Sequence, residues 1–228
     1  MTEDAAIVIV DDHELFATSL RVTLHEHGLK AFQAPMTSHD AVVAFVREVR
    51  PGLAVLDLHL GNDDSGHRID GVDLVRPLRR LGCEVLVVSG SRDESCEAAA
   101  VAAGALAVIP KSSSFAALLD AVHTARAGRP LMPDHVRQEW LRLNDRHQAQ
   151  ERERARLLER LSAREREVLD LLVHGQRAAA IAEHFVVSMT TVRTQIRSIL
   201  TKLEVNSQLE AVALVRSRPR GVDGQRRV

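Results

Sequence analysis

Four short apolar runs, each stopping at polar residues, constrain this chain more than any other feature. Ala6–Val10 ends at Asp11-Asp12, Leu53–Leu58 carries Asp57 near its end, Glu84–Ser89 ends on a hydroxyl, and Leu106–Pro110 leads into Lys111. An apolar run without alternation reads as a strand covered on both faces. A shorter strand is expected at Ala31–Ala34. Between these runs apolar residues recur at helical spacing: Leu15–His27 stopping at Gly28, Ser38 capping a stretch to Arg50, then Gly71–Leu81, Asp93–Ala103 and Ser113–Ala127. Strand and helix in alternation predict a five-stranded, doubly wound parallel sheet with helices on both faces.

The remainder has a different character. Residues 133–160 are charged, helix-prone and almost free of glycine, and read as a solvated helix. Beyond them, Ser162-Ala-Arg-Glu165 fits a capping box, in which a hydroxyl and a carboxylate satisfy backbone N–H groups at a helix start. Gly175 stops that helix, Arg177–His184 forms a second, Ser188 caps a third to Leu203, and Ser207-Gln-Leu-Glu210 opens a fourth. The tail from Ser217 is rich in Arg, Gly and Pro and is expected to be disordered.

Charge divides the chain the same way. Residues 1–125 hold 10 Lys/Arg against 18 Asp/Glu, a net of −8, and residues 126–228 hold 20 against 13, a net of +7. An acidic half suits a cation and a basic half suits nucleic acid. No apolar run approaches the roughly 20 residues that cross a bilayer, and the acidic N-terminus does not read as a signal peptide. Cys83 and Cys96 have no redox or metal-site spacing. A reduced, cytoplasmic protein is expected.

In a doubly wound sheet, ligands sit beyond the carboxyl ends of the strands. Asp11, Asp12, Asp57, Ser89 and Lys111 fall there. That set suits phosphoryl transfer. Carboxylates can hold Mg²⁺, which prefers hard oxygen ligands. Asp57 can act as nucleophile and form an acyl phosphate. Lys111 and the Ser89 hydroxyl can bind phosphoryl oxygens as charge moves. Singly, each residue reads as a helix cap or a solvated charge; five together at one sheet edge do not.

Over residues 5–127 the chain resembles the receiver domain of two-component response regulators. Val10-Asp11-Asp12-His13-Glu14-Leu15-Phe16 is similar to the opening of receivers in the LuxR/NarL-type subfamily. Asp57 falls at the phosphoacceptor position, Ser89 at the switch hydroxyl and Lys111 at the family's lysine. The resemblance implies a flavodoxin-like receiver in a bacterial protein, and an Mg²⁺ ion held by Asp11, Asp12, Asp57 and the backbone carbonyl of His59. It also implies a sensor histidine kinase as phosphodonor. Three features depart from the family. Gly71 stands fourteen residues after Asp57, later than usual, so the polar loop 61–69 is long. Val108 replaces a frequent aromatic, and Pro110 precedes Lys111. His59, Asp63, Asp64, His67 and Asp70 in that loop match no standard metal motif, and a solvated loop is expected.

In the basic half, Val192, Ile196, Ile199 and Leu203 form one helical stripe, with Thr190, Arg193, Thr194, Arg197 and Thr201 largely opposite. Leu161-Ser162, Arg164-Glu165, Glu167-Val168-Leu169, Gly175, Ile181-Ala182, Thr191-Val192-Arg193 and Lys202-Leu203 together resemble the LuxR-type helix-turn-helix, with Gln195 where His is common and Gln208 where Arg is common. Carried over, Arg193, Thr194, Arg197 and Lys202 are the candidate DNA contacts.

The expected organisation is a receiver at 1–127, a charged helical linker at 128–157, an all-α four-helix DNA-binding domain at 158–217, and a tail at 218–228. The expected function is promoter binding controlled by phosphorylation of Asp57 and by dimerisation, with RNA polymerase as a further partner. No enzymatic turnover is implied beyond self-phosphorylation and dephosphorylation. Two other readings stay open: a DNA-binding regulator that does not depend on phosphorylation, and a metal-dependent aspartyl-phosphate phosphatase. The second is disfavoured because His59 stands where such enzymes need a second Asp.

Overall fold

The computed structural model describes residues 5–64, 66–90 and 93–216, so the tail expected to be disordered lies outside the described residues. The chain divides into two compact units, 1–146 and 147–228.

In the first unit, β1 (Ile7–Val10), α1 (Glu14–Glu26), β2 (Ala31–Gln33), α2 (His39–Val49) and β3 (Leu53–Asp57) lead to a hairpin of β4 (His59–Asn62) and β5 (Arg68–Asp70). Then come α3 (Gly71–Arg80), β6 (Glu84–Ser89), α4 (Glu94–Ala103), β7 (Val108–Pro110) and α5 (Phe115–Arg126). The main sheet has five parallel strands in the order β2-β1-β3-β6-β7. The apolar runs are continuous because side chains alternate between two buried faces. Val8, Val10, Ala54, Leu56, Val85 and Val87 pack with Val42, Val46, Leu74 and Leu78 of α2 and α3. Ile7, Ile9, Leu53, Val55, Leu86 and Val88 pack with Leu20 and Leu24 of α1 and Leu118 and Val122 of α5. Ser38, Asp70, Asp93 and Ser114 each cap the helix that follows them.

The stretch expected as a polar loop is ordered as the β4–β5 hairpin, in which His59 pairs with Asp70 and Asn62 with Arg68. One apolar residue per strand anchors it: Leu60 and Ile69 are buried in the core beside Leu58. A single apolar position in each strand is too little alternation to read as a strand. The hairpin's base brings Gly71 back against β3. The Gly71 N–H donates to the Leu58 carbonyl at 3.0 Å. A methyl group on Gly71 would collide with the Asp57 carbonyl oxygen and lie 2.7 Å from the Leu58 Cα. The extra residues therefore close on themselves, and α3 still starts hard against the end of β3.

The boundary between the units falls within α6 (Asp134–Glu159). In the first unit, the Arg137 guanidinium donates to the carbonyls of Ala105 and Leu106 at 3.1 and 2.7 Å. In the second, Leu157 and Leu161 join a core with Val168, Leu172, Ile181, Val192, Ile196, Ile199, Leu203 and Ala211. That core is built by α7 (Ala163–Val173), α8 (Ala178–Phe185), α9 (Met189–Lys202) and α10 (Gln208–Arg216). The Ser162–Glu165 capping box forms with both bonds present. At α10, Ser207 caps the Glu210 N–H, and the Glu210 carboxylate takes the N–H of Asn206. Among the described residues no helix is long and apolar enough to cross a membrane.

Gly71→Ala should destabilise the first unit by about 3 kcal/mol, the upper range for overpacking, because the clash is with backbone. Urea unfolding followed through amide signals of β3 and α3 should show a lowered midpoint. An unchanged midpoint would refute the tight closure.

Candidate functional site

Asp57 is the last residue of β3 and pairs in register with Val88, so it sits beside Ser89 at the end of β6. Both are buried, as is Asp11 just beyond β1. The Ser89 carbonyl accepts the Lys111 N–H at 2.8 Å, which brings the end of β7 to the same edge. From there the Lys111 ammonium reaches two carboxylates, Asp57 Oδ2 at 2.7 Å and Asp11 Oδ2 at 2.7 Å. Its Nζ also lies 4.9 Å from the ring centre of Phe16, which stacks on Phe115. The sheet thus joins Asp11, Asp57, Ser89 and Lys111 from four strand ends, and Asp12 completes the group.

The electrostatics follow from burial. Loss of water pushes the Asp11 carboxyl above its usual range, a rise only partly opposed by Lys111 and by the His13 N–H, which donates to Asp11 Oδ1 at 2.9 Å. Burial alone would lower the Lys111 pKa, but hydrogen bonds and charge from Asp11 and Asp57 outweigh it and raise it. Lys111 is therefore a fixed cation in the site.

Asp11, Asp12, His13 and Asp57 each offer a ligand atom, all within 4.8 Å of one another. Three hard carboxylate oxygens at that spacing fit a divalent cation such as Mg²⁺. His13 received no role from the sequence. Its Nδ1 lies 2.8 Å from Asp12 Oδ1 and 3.4 Å from Lys111 Nζ. Its position directly after the Asp pair was the available signal. His59 begins β4 and donates its N–H to Asp57 Oδ1 at 3.2 Å. The hairpin's own acidic and histidine residues do not gather: among the described residues no second metal-ligating cluster occurs. Asp63 instead accepts the His67 N–H at 2.7 Å, and Asp70 caps α3.

In the second unit, α9 buries Val192, Ile196 and Ile199 and exposes Thr190, Arg193, Thr194 and Arg197. Lys202 is placed differently. Its ammonium lies 2.7 Å from Glu165 Oε2, while Ser198 donates to Glu165 Oε1 at 2.6 Å and the Ser162 N–H to Oε2 at 2.8 Å. Burial alone would raise the Glu165 pKa, but the bonds from Lys202, Ser198 and Ser162 lower it to about 2. The capping carboxylate of α7 thereby also fastens α9.

A phosphoacceptor-like aspartate at the end of a parallel sheet, followed by a helix-turn-helix, defines a receiver joined to a DNA-binding domain. Comparison with known proteins agrees. Residues 7–123 match the family "Response regulator receiver domain", and residues 159–215 match "Bacterial regulatory proteins, luxR family". The chain belongs to the response regulators and is a DNA-binding transcriptional regulator of the LuxR type. It is similar to the transcriptional regulatory protein LiaR of Bacillus subtilis, 27% identical over 90% of this chain and 93% of that one. It is also similar to the virulence regulator BvgA of Bordetella pertussis, 26% identical over 92% and 96%. In fold it is similar to the response regulator RcsB solved in complex with DNA, with a TM-score of 0.51 at 20% identity over 94% of this chain and 99% of that one.

The Glu165 network gives a pH prediction. A carboxyl lowered from 4.5 to about 2 stabilises the fold fully above pH 4.5, and the contribution fades as pH falls toward 2. It amounts to on the order of 3 kcal/mol. Melting of the helical unit between pH 2 and 7 should show this loss, and Glu165→Gln should flatten the profile while lowering stability at pH 7. A parallel, undiminished profile in the variant would overturn the assignment.

Proposed function

We propose that the chain is a phosphorylation-controlled transcription factor whose phosphoacceptor is Asp57. The observation that carries this reading is the Lys111 ammonium held 2.7 Å from Asp57 Oδ2, beside the buried carboxylate of Asp11. The phosphodonor is a phosphohistidine on a sensor histidine kinase. An Asp57 carboxylate oxygen attacks phosphorus, a P–O bond forms and the P–N bond breaks. The electron pair leaves with the imidazole, which takes up a proton. Asp11, Asp12, Asp57 and the His59 carbonyl would hold Mg²⁺, which when bound would offset charge repulsion between Asp57 and the incoming phosphoryl group. The His59 N–H steadies Asp57 Oδ1, Lys111 binds a phosphoryl oxygen, and the Ser89 hydroxyl binds another. The regulator works as a homodimer on promoter DNA and engages RNA polymerase there; solved RcsB assemblies include dimers bound to DNA. Arg193, Thr194 and Arg197 contact the major groove and its phosphates, with Lys202 at the margin of that surface.

Acetyl phosphate with Mg²⁺ should add one phosphoryl group to the protein, seen by intact mass, and tighten promoter binding severalfold. Asp57→Asn should abolish both. Modification without any change in DNA affinity would favour the phosphorylation-independent reading.

Arg193→Ala should weaken promoter binding by about 1–3 kcal/mol and relax preference at one base pair, as a lost bidentate base contact does. Binding measured on a set of single-base operator variants checks this. A uniform loss across all variants would reassign Arg193 to the phosphate backbone.

A further inference from the structure

We propose that the inserted β4–β5 hairpin is part of the cation site: its backbone at Gly61 buttresses the Asp12 carboxylate and fixes the oxygen offered to a divalent ion. The inference rests on the reading of Asp11, Asp12 and Asp57 as the Mg²⁺ site.

The three carboxylates are not equally held. Asp11 is gripped by the Lys111 ammonium and the His13 N–H. Asp57 is gripped by the same ammonium and the His59 N–H. Asp12 is the most open of the three, with 31% of its side chain exposed, against 1% for Asp11 and 2% for Asp57. Among the described residues neither an ammonium nor a backbone N–H holds it. Its Oδ1 faces the His13 ring, and its Oδ2 faces Gly61. An added Cβ on Gly61 would stand 2.9 Å from Asp12 Oδ2, so the hairpin backbone passes as close to that oxygen as a missing side chain permits.

The buttress is also firm. Leu60, next to Gly61, is buried in the core, as is Ile69 on the partner strand. Asn62 pairs with Arg68, and the Asp64 N–H donates to the Thr37 carbonyl at 3.3 Å. Gly61 itself lies where the β4–β5 register shifts, but it is flanked by the buried Leu60 and the paired Asn62, so the half-open Asp12 carboxylate gives way to a new methyl group more readily than the backbone does. Groups that orient a metal ligand commonly change affinity by about tenfold or more when disturbed. This also gives the insertion a use, since the receiver's closure at Gly71 needs no such extra residues.

Gly66 supplies the control. It lies in the same hairpin with φ +80, beside φ +66 for Gly61, but an added Cβ there meets nothing within 4 Å. Alanine at either position incurs the same left-handed penalty, and only at Gly61 does it touch Asp12. The test is Mg²⁺ titration of the full-length protein by calorimetry, together with melting in the absence of metal. Gly61→Ala should raise the Mg²⁺ Kd about tenfold. Gly66→Ala should change it less than about twofold, with a similar drop in melting temperature for both. Ile69→Ala, which loosens the hairpin without adding an atom near Asp12, should weaken Mg²⁺ severalfold and serves if Gly61→Ala does not fold. Equal Mg²⁺ affinity in Gly61→Ala, Gly66→Ala and wild type overturns the role of the hairpin. Failure of the wild type itself to bind Mg²⁺, or binding untouched by Asp57→Asn, overturns the cation site beneath it.

Discussion

Two carboxylates buried within reach of one ammonium set the terms for the whole first unit. Asp11 and Asp57 lie almost out of water, and Lys111 touches both. Unpaired, either charge would be expelled or protonated, and breaking such a pair by deleting one partner typically costs about 3–5 kcal/mol. The strand order supplies the geometry: β1 and β6 flank β3, and β7 pairs with β6, so strand ends far apart in sequence meet at one edge. The ammonium compensates only part of the negative charge in a group that also contains Asp12. The remainder leaves three carboxylate oxygens grouped with a net negative charge, a set compatible with a divalent cation. The burial that stabilises the edge of the sheet and the charge at that edge thus depend on the same residues.

The hairpin shows how an insertion can enter such a site without breaking it. Its ends meet through the His59–Asp70 pair, so Gly71 returns to the Leu58 carbonyl as if the added residues were absent. Two buried side chains, Leu60 and Ile69, secure the added strands to an existing core. The requirement transmitted along the chain is contact between Gly71 and the end of β3, and sequence distance is irrelevant to it once the loop closes on itself.

Much of this was legible beforehand. The parallel strands announced themselves because both their faces are buried, which removes polar alternation. The helix starts were visible at Ser38, Ser162 and Ser188, where a hydroxyl cap is a local event needing no tertiary context. Asp11, Asp57 and Lys111 could be brought together because a parallel sheet places all its carboxyl ends on one edge. What escaped depended on contacts across space. The hairpin's strands carry one apolar residue each, too few for a period. The place of His13 depends on how its ring turns over Asp12, and that orientation has no sequence signature. The division of α6 between the units was equally hidden, because a charged helix reads the same whether its ends are docked or free.

Lys202 is the instructive case. From the sequence it is a basic residue beside an Arg- and Thr-rich face, and a DNA contact is the natural expectation. In the fold its ammonium meets a carboxylate that already caps α7 and also takes a hydroxyl from Ser198. One anion thus makes three ties to two helices: it closes the first turn of α7, pairs with the end of α9, and engages α9 again one turn earlier. Two of these ties lie on α9 four residues apart, on the same side of the helix. The buried Val192, Ile196 and Ile199 already set which side of α9 faces the core, and the two ties along its length add to that. The exposed arginines lie on that same rigid body. Glu165, a residue on a different helix, thus helps to set the direction in which Arg193 and Arg197 project.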